Sequence, residues 1–213
     1  DSIGSSVALG CALKQLGKQV DILQADPVPE AYSRLPAMDL VRVDSGLRGD
    51  YDSLIVLECN DLARTGLGNL HANHVINIDH HSNTDPFGDL NWVDDSAAAV
   101  AELVYELILV LEAKITPSIA SNLYAAILTD TGSFRFSNVT PALHRLVGDL
   151  VERGNLDPAQ MYAEVHEKKS VEGLRLMSTV LSTLQLHYGG LVGSMIISKR
   201  SLQDSGASIE ESD

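Results

Sequence analysis

Helix-like and strand-like spacing of apolar positions alternates through the first half of the chain. Apolar residues at helical spacing predict a helix over residues 5–16 that ends at Gly17. Residues 19–23 predict a strand, and continuous apolar runs over 52–59 and 75–81 predict two more. Such runs are typical of parallel strands that are buried on both faces. This order of segments predicts an α/β fold, in which a parallel β-sheet is flanked by helices.

The second half of the chain is predicted to be mainly helical. We expect a helix over residues 96–111, with its N-cap among Asp94, Asp95 and Ser96. Proline in the first turn predicts three further helix starts, which are Thr116-Pro117, Thr140-Pro141 and Asp157-Pro158. Apolar residues at helical spacing also predict a long helix over residues 170–186.

A change of pattern after this helix predicts a domain boundary near His187. Tyr188-Gly189-Gly190 predicts a turn, and residues 191–197 predict a strand. We therefore expect one domain over residues 1–187 and the beginning of a smaller α/β domain over residues 188–213. Because the chain opens at Asp1 without a methionine and stops in an acidic stretch, we expect it to be a fragment.

Composition bears on membrane association and on the cellular location of the protein. No apolar run approaches the ~20 residues of a membrane-spanning helix, and no signal-peptide pattern opens the chain, so no membrane partner is expected. The two cysteines, Cys11 and Cys59, lie in apolar segments and are interpreted as small core residues. Without a disulfide framework, a reducing and cytoplasmic location is expected.

The net charge of the chain indicates which classes of ligand it can bind. The formal net charge is −14, and no basic patch is visible along the sequence. A protein that holds long nucleic acid by its phosphates normally carries such a patch. Long duplex nucleic acid is therefore disfavoured as a partner, and a small ligand or a phosphate contact through a metal is favoured.

Acidic and histidine side chains stand at the predicted strand ends. Glu58 closes one apolar run, and Asp79-His80-His81 closes the next. Asp1 precedes the first helix, and Asp130 ends a helical run. The carboxyl ends of parallel strands meet at one edge of a sheet, where ligands bind. Carboxylates with imidazole suit Mn²⁺ or Mg²⁺, although each residue taken alone also fits a capping or surface role.

Four ordered segments resemble the motifs of the DHH family of phosphoesterases. They are Asp1-Ser2-Ile3-Gly4-Ser5, Leu57-Glu58-Cys59, Asp79-His80-His81 and Leu128-Thr129-Asp130-Thr131-Gly132-Ser133-Phe134. Phe87-Gly88-Asp89 and Asn91-Trp92-Val93-Asp94 are similar to the branch that contains nanoRNases and pAp phosphatases. The resemblance covers the chain from Asp1 to about Leu186, and the tail resembles the opening of the associated C-terminal domain.

The resemblance implies a metal site. Its ligands would be Asp1, Glu58, His80 and Asp130, around Mn²⁺, with Mg²⁺ or Co²⁺ as alternatives. Family members hold two ions, which clamp the attacking and leaving oxygens of a phosphoryl displacement. The motif that opens at Asp1 here contributes a further histidine and aspartate in the family, so the number of ions that this chain binds stays open. The family usually has aspartate where this chain has Glu58.

The resemblance also implies a catalytic group. His81 would face the scissile phosphate, and Asp79 would orient His80 or His81 from behind. Arg135, Ser133 and Thr131 are candidate phosphate contacts, with turn capping or solvent exposure as the alternative. The remaining histidines are interpreted as surface or structural residues, Trp92 as a packing residue, and Arg64 as a residue that fixes the loop after Glu58.

The implied function is hydrolysis of short oligoribonucleotides by a manganese-dependent phosphodiesterase, with 3′-phosphoadenosine 5′-phosphate as a further substrate. A cyclic- or linear-dinucleotide phosphodiesterase stays open, as does a nucleotide-binding module without catalysis. The short motif spacing and the Phe87-Gly88-Asp89 stretch resemble the nanoRNase branch more than a RecJ-type exonuclease or an inorganic pyrophosphatase. A homodimer is also left open.

Overall fold

A computed structural model describes residues 1–83, 85–167 and 170–209, apart from the side chain of Ala31. The chain divides into two compact units, residues 1–165 and 166–213. This division falls before the domain boundary expected near His187, and that boundary stays a prediction. Residues 210–213, in the acidic stretch at the end of the sequence, lie outside the described part of the chain.

The first unit begins with a helix, continues with parallel strands and ends with helices. Its elements are α1 (Ser2–Gln15), β1 (Ile22–Gln24), β2 (Val41–Val43), β3 (Ser53–Leu57), β4 (His74–Asp79), β5 (Leu90–Val93), α2 (Val100–Val110), α3 (Pro117–Asp130), α4 (Pro141–Gly154) and α5 (Pro158–His166). Short 3₁₀ turns lie at Glu30–Tyr32, Met38–Leu40 and Leu62–Thr65.

The strands pair in parallel, which confirms the predicted α/β class. Strand β4 lies between β3 and β5, and β1 pairs with β2 in a second parallel sheet. Leu57 of β3 is in register with Ile78 of β4, and the Glu58 amide donates to the Ile78 carbonyl at 3.1 Å. The register therefore brings Glu58 beside Asp79, at the carboxyl ends of two adjacent strands.

Helices bury the apolar face of this unit. Helix α3 packs against α1 and α4, and its residues Ile119, Leu123 and Ile127 are completely buried. On the sheet, Ile78 packs with Val100 and Leu103 of α2. Strand β4 thus has an apolar face against α2, while Asp79 at its end and His80 directly after it carry polar groups.

Three helix starts are confirmed. The side chains of Thr116 and Thr140 accept hydrogen bonds from amides three residues later, at 3.4 and 3.1 Å. The side chain of Asp157 accepts from the amide of Ala159 at 2.9 Å. Each of these residues precedes a proline, so the cap and the fixed φ angle of proline act together.

The expected N-cap of α2 is wrong. Asp94 and Ser96 bond to each other in the preceding turn, and the helix begins at Val100 with Ala99 as its N-cap. The alanine side chain cannot accept a hydrogen bond. Instead Asp1 accepts from the Val100 amide at 2.6 Å, across 99 positions of sequence.

The second unit contains α6 (Val171–Leu181), β6 (Gln185–His187), β7 (Val192–Ser194) and α7 (Lys199–Ser205). The long helix expected over residues 170–186 is therefore wrong at its end. Residues 185–187 pair with 192–194 in an antiparallel hairpin, which competes with helical hydrogen bonds. Three left-handed residues, Tyr188, Gly189 and Gly190, connect the two strands and confirm the predicted turn.

Other expectations were partly met. The strand expected over residues 19–23 is observed at Ile22–Gln24, and the one over 191–197 at Val192–Ser194. Both cysteines are free. Among the described residues, no helix has the length and apolar character needed to cross a membrane.

Candidate metal centre

Asp1 reaches the site because its carboxylate is held from two sides. The Ser5 hydroxyl donates to Asp1 Oδ1 at 2.6 Å, and the Val100 amide donates to Asp1 Oδ2 at 2.6 Å. Asp1 is also the N-cap residue of α1, but its side chain makes no capping hydrogen bond there. These contacts fix the carboxylate between the first turns of α1 and α2.

Glu58 follows β3 in an unusual backbone conformation. Its φ angle is 58°, in the left-handed region that residues other than glycine rarely adopt. Such a conformation costs about 1–2 kcal/mol and persists where the surrounding structure imposes it. Glu58 Oε1 lies 3.2 Å from His80 Nε2, and the buried Oε2 atom has no hydrogen-bond partner among the described residues.

His80 presents one ring nitrogen to the site and uses the other as an anchor. Its Nδ1 lies 3.1 Å from the Ala97 carbonyl oxygen, which can only accept, so Nδ1 carries the hydrogen. Nε2 lies 3.2 Å from Glu58 Oε1 and 3.2 Å from Asp130 Oδ2. Fixing one nitrogen by a hydrogen bond orients the other, which is the usual arrangement of a histidine ligand.

The ligand atoms of Asp1, Glu58, His80 and Asp130 all lie within 4.8 Å of one another. Asp130 ends α3, and the other three come from the start of α1 and the ends of β3 and β4. A second, overlapping group within the same distance contains Glu58, His80 and His81. The structure therefore brings together the four residues that the sequence nominated as ligands.

The electrostatics of this cluster favour a cation. Hydrogen bonds to Asp130 and then Glu58 raise the pKa of His80 to about 10, against the opposing effect of burial. Without a metal, the imidazolium itself supplies the positive charge between the carboxylates. The unpartnered Glu58 Oε2 and the mixed oxygen and nitrogen donor set fit a hard divalent ion such as Mn²⁺ or Mg²⁺.

His81 lies beside this cluster and is held by Asp79. Asp79 is completely buried, and its Oδ1 accepts from His81 Nδ1 at 2.8 Å and from the His80 amide at 2.8 Å. His81 Nε2 lies 3.9 Å from Glu58 Oε1, and 38% of its side chain is exposed. Of the two histidines that Asp79 was expected to orient, it binds the ring of His81, while the Ala97 carbonyl binds the ring of His80.

The turn after Asp130 contains the other nominated residues. Thr131 is completely buried, and its hydroxyl donates to the Ile127 carbonyl at 2.7 Å and accepts from the Phe134 amide at 3.0 Å. Thr131 therefore stabilises the turn. Arg135 Nε donates to the Gly132 carbonyl at 2.7 Å, and Ser133 adopts a φ angle of 61°. Substrate contacts by Ser133 and Arg135 stay predictions.

Arg64 and Trp92, which the sequence predicted to have structural roles, contact neighbouring residues outside the cluster. Arg64 donates to Asn60 Oδ1 at 2.7 Å, within the loop that follows Glu58. Trp92 packs against the apolar cluster of Ile78 and α2. Four of the other histidines are exposed and one, His166, is half-buried; the exposed ones are His71, His74, His144 and His187.

Three supporting groups escaped the sequence analysis. They are the Ser5 hydroxyl, the Ala97 carbonyl and the Val100 amide, which bind ligands of the cluster. Ser5 lies one helical turn after Asp1, so its spacing is a usable pattern. The other two are main-chain groups, which side-chain identity does not reveal.

A cavity of about 250 Å³ opens beside Glu58, between the end of β1, strand β3 and the first turn of α1. It is smaller than the ~300–1,000 Å³ typical of pockets for drug-sized ligands, so we assign it no nucleotide.

The fold and the cluster define an α/β domain with a candidate metal centre at the carboxyl ends of parallel strands. The chain belongs to the DHH family: residues 1–127 match the family's N-terminal domain. This match includes Asp1, Glu58, His80 and His81, and it ends before Asp130.

Curated relatives extend the similarity to the whole chain. The chain is 37% identical over 216 residues to the bifunctional oligoribonuclease and PAP phosphatase NrnA of Thermus thermophilus, covering 100% of this chain and 63% of that protein. It is 27% identical over 217 residues to the protein of that name from Bacillus subtilis, covering 99% and 67%. The chain thus spans about two thirds of the length of these relatives.

A solved structure shows the same fold. An exopolyphosphatase-related protein from Bacteroides fragilis superposes with a TM-score of 0.89 at 21% identity, covering 100% of this chain and 66% of that one. At this identity the likeness supports the fold alone.

Proposed function

We propose that this chain carries the metal centre of a manganese-dependent phosphoesterase that hydrolyses short oligoribonucleotides and 3′-phosphoadenosine 5′-phosphate. The observation that carries the proposal is the convergence of Asp1, Glu58, His80 and Asp130 within 4.8 Å. The names of the Thermus and Bacillus relatives supply the substrate class. The net charge of −14 agrees with a short substrate, because long phosphate backbones find little counter-charge on the chain.

The four ligands would hold the ion, and their neighbours would hold the ligands. Ser5 and the Val100 amide fix Asp1, and the Ala97 carbonyl fixes the ring of His80. Bound Mn²⁺ would polarise a phosphate oxygen and make water a better nucleophile. His80 must then be neutral at Nε2, so binding the ion displaces a proton.

His81 is the group that we assign to the substrate. Its Nδ1 is bound to the buried Asp79, and its partly exposed ring lies 4.8 Å from that of His80. His81 Nε2 lies 3.9 Å from Glu58 Oε1, so it would adjoin an ion held by that carboxylate while staying within reach of solvent. The role that we propose for it is a hydrogen bond to a phosphate oxygen, with Asp79 as the residue that orients the ring.

The test is hydrolysis by the protein expressed from its complete gene. Initial rates are measured on 3′-phosphoadenosine 5′-phosphate, on RNA dimers to pentamers and on an RNA of about 24 nucleotides, in Mn²⁺ and in excess chelator. We expect the highest rates on the short RNAs and none in chelator. A rate that rises steadily with length contradicts the substrate class, and turnover in chelator contradicts the metal centre.

A further inference from the structure

The peptide group between Ala97 and Ala98 lies between the metal centre and a buried acid. Its carbonyl oxygen accepts the hydrogen bond from His80 Nδ1 at 3.1 Å. Its amide donates to Glu102 Oε1 at 2.6 Å. A single peptide group therefore joins the carboxylate of Glu102 to the ring whose other nitrogen faces Glu58 and Asp130.

The geometry of a trans peptide makes this a continuous chain of hydrogen bonds. The described chain contains no cis peptide bond, so the C=O and N–H of this group point in opposite directions. The order is Glu102 carboxylate, Ala98 N–H, Ala97 C=O, His80 Nδ1–H, and then Nε2 at the ligand position. Hydrogen bonds arranged in a chain polarise one another in a medium of low dielectric constant.

Burial makes the peptide dependent on Glu102. Ala98 is 1% exposed and Ala99 is completely buried, so water does not solvate the Ala98 amide. A buried N–H without a partner carries a desolvation penalty, which another orientation of the peptide would relieve. Any such reorientation turns the Ala97 carbonyl away from His80.

We propose that Glu102 is a positioning residue of the metal centre: through the Ala97–Ala98 peptide, its carboxylate holds His80 in the orientation and tautomer that bind the ion at Nε2. Glu102 does not touch the ion or the substrate. It acts in the way that a carboxylate behind a metal-bound histidine acts, with a peptide group inserted between them. This inference rests on the metal centre of the proposed function.

A purely structural role for Glu102 is the alternative that the test must separate. Glu102 is the third residue of α2, where a glutamate that reaches back to preceding amides stabilises a helix start. Loss of such a cap lowers the stability of the protein with or without metal. Loss of the chain of hydrogen bonds lowers metal affinity and weakens the hydrogen bond of His80 Nδ1.

The experiment compares the protein expressed from its complete gene with its Glu102→Gln and Glu106→Gln variants. Glutamine keeps the length of the side chain and an oxygen that accepts a hydrogen bond, but it removes the charge. Glu106 lies one turn further along α2 and lines the same surface cavity of about 470 Å³, so Glu106→Gln is the matched control. Calorimetric titration gives the Kd for Mn²⁺, and NMR gives the His80 Nδ1–H shift in the Mg²⁺-loaded and metal-free forms.

We expect Glu102→Gln to raise the Kd for Mn²⁺ about tenfold, in the range known for such supporting residues, and to move the Nδ1–H resonance upfield. The metal-free Tm should stay within a few degrees of the parent chain, and Glu106→Gln should leave all three quantities unchanged. An unchanged Kd in Glu102→Gln overturns the inference. A parallel loss of metal-free Tm and affinity also overturns it, in favour of a helix cap. A parent chain that shows no saturable binding of Mn²⁺ overturns the metal centre itself.

Discussion

The main-chain groups at the two ends of α2 find their hydrogen-bond partners in different ways. Each end of a helix leaves main-chain groups without partners. At the C-terminal end, called the far end here because it lies away from the metal centre, the amides of Glu112 and Ala113 donate to the carbonyls of Leu109 and Ile108. These two bonds form a Schellman motif within six residues. At the N-terminal end, the near end, which lies beside the metal centre, Ala99 is the N-cap and has no side-chain acceptor. Asp1, which is 99 residues away from Val100, supplies one of the missing bonds.

This difference shows that the metal centre depends on contacts between distant parts of the chain. The far end needs a local sequence and one left-handed residue, Glu112 with a φ angle of 56°. The near end needs α1, β3, β4 and α3 to be in place, because the residues that bind one another there come from all of them. We therefore expect the near end to respond to changes in distant packing, and the far end to respond only to local changes.

The largest expected effect is at the metal centre beside the near end of α2. His80→Ala removes the imidazole ligand, and we expect kcat/KM of the protein expressed from its complete gene to fall by about a thousandfold, or ~4 kcal/mol. Rates are compared on a dinucleotide in Mn²⁺. His71→Ala, at an exposed histidine, is the control and should keep full activity. Full activity in His80→Ala would contradict the assignment of the ligands.

The second prediction tests the dependence on distant packing. A Cβ atom on Gly4 would collide with the main-chain oxygen of Asn122 in α3 and lie 3.1 Å from the Cβ of Ala126. We expect Gly4→Ala to lower the free energy of unfolding by about 2 kcal/mol through overpacking. It should also weaken Mn²⁺ binding, because α1 carries Asp1. Urea denaturation and calorimetric titration measure the two effects.

Gly148→Ala is the matched control for this change. Gly148 lies within α4, and a Cβ there would meet no atom within 4 Å. We expect this substitution to stabilise the protein by about 0.5–1 kcal/mol without changing metal affinity, because alanine restricts the unfolded chain. Equal effects of the two substitutions would mean that the contact between α1 and α3 is not tight.

The third prediction concerns pH at the near end. Asp130 and Glu58 raise the pKa of His80 to about 10 in the metal-free protein, so the ring is protonated at neutral pH. The ion needs the neutral ring, and protons therefore compete with it. We expect the Kd for Mn²⁺ to fall as pH rises between about 6 and 8, by up to about tenfold per pH unit. Titrations at several pH values check this; a Kd that does not change with pH would show that the ion does not bind at Nε2.

The smallest expected effect is at the far end. Glycine adopts the left-handed conformation without the cost that a side chain brings, so Glu112→Gly should stabilise the protein by about 1 kcal/mol. Mn²⁺ affinity should not change, since the bonds at this end are local. Thermal unfolding and metal titration are the measurements. A change in affinity would show that the two ends of α2 are coupled.

The sequence by itself determined the elements with strong local patterns. Proline and a capping side chain predicted the starts of α3, α4 and α5, because both act within one turn of helix. Continuous apolar runs predicted β3 and β4 as parallel strands, since such runs are typical of strands that are buried on both faces. Resemblance to ordered motifs nominated the four residues that the fold brings together.

The tertiary structure decided the features that depend on distant partners. It moved the start of α2 to Val100 by offering the carboxylate of Asp1, and it ended α6 at Leu181 because residues 185–187 pair with a second strand. It also set the support of the metal centre, through the carbonyl of Ala97 and the left-handed turn at Glu58. Apart from proline, every residue carries the same main-chain N–H and C=O groups, so only the folded chain decides which of them meet.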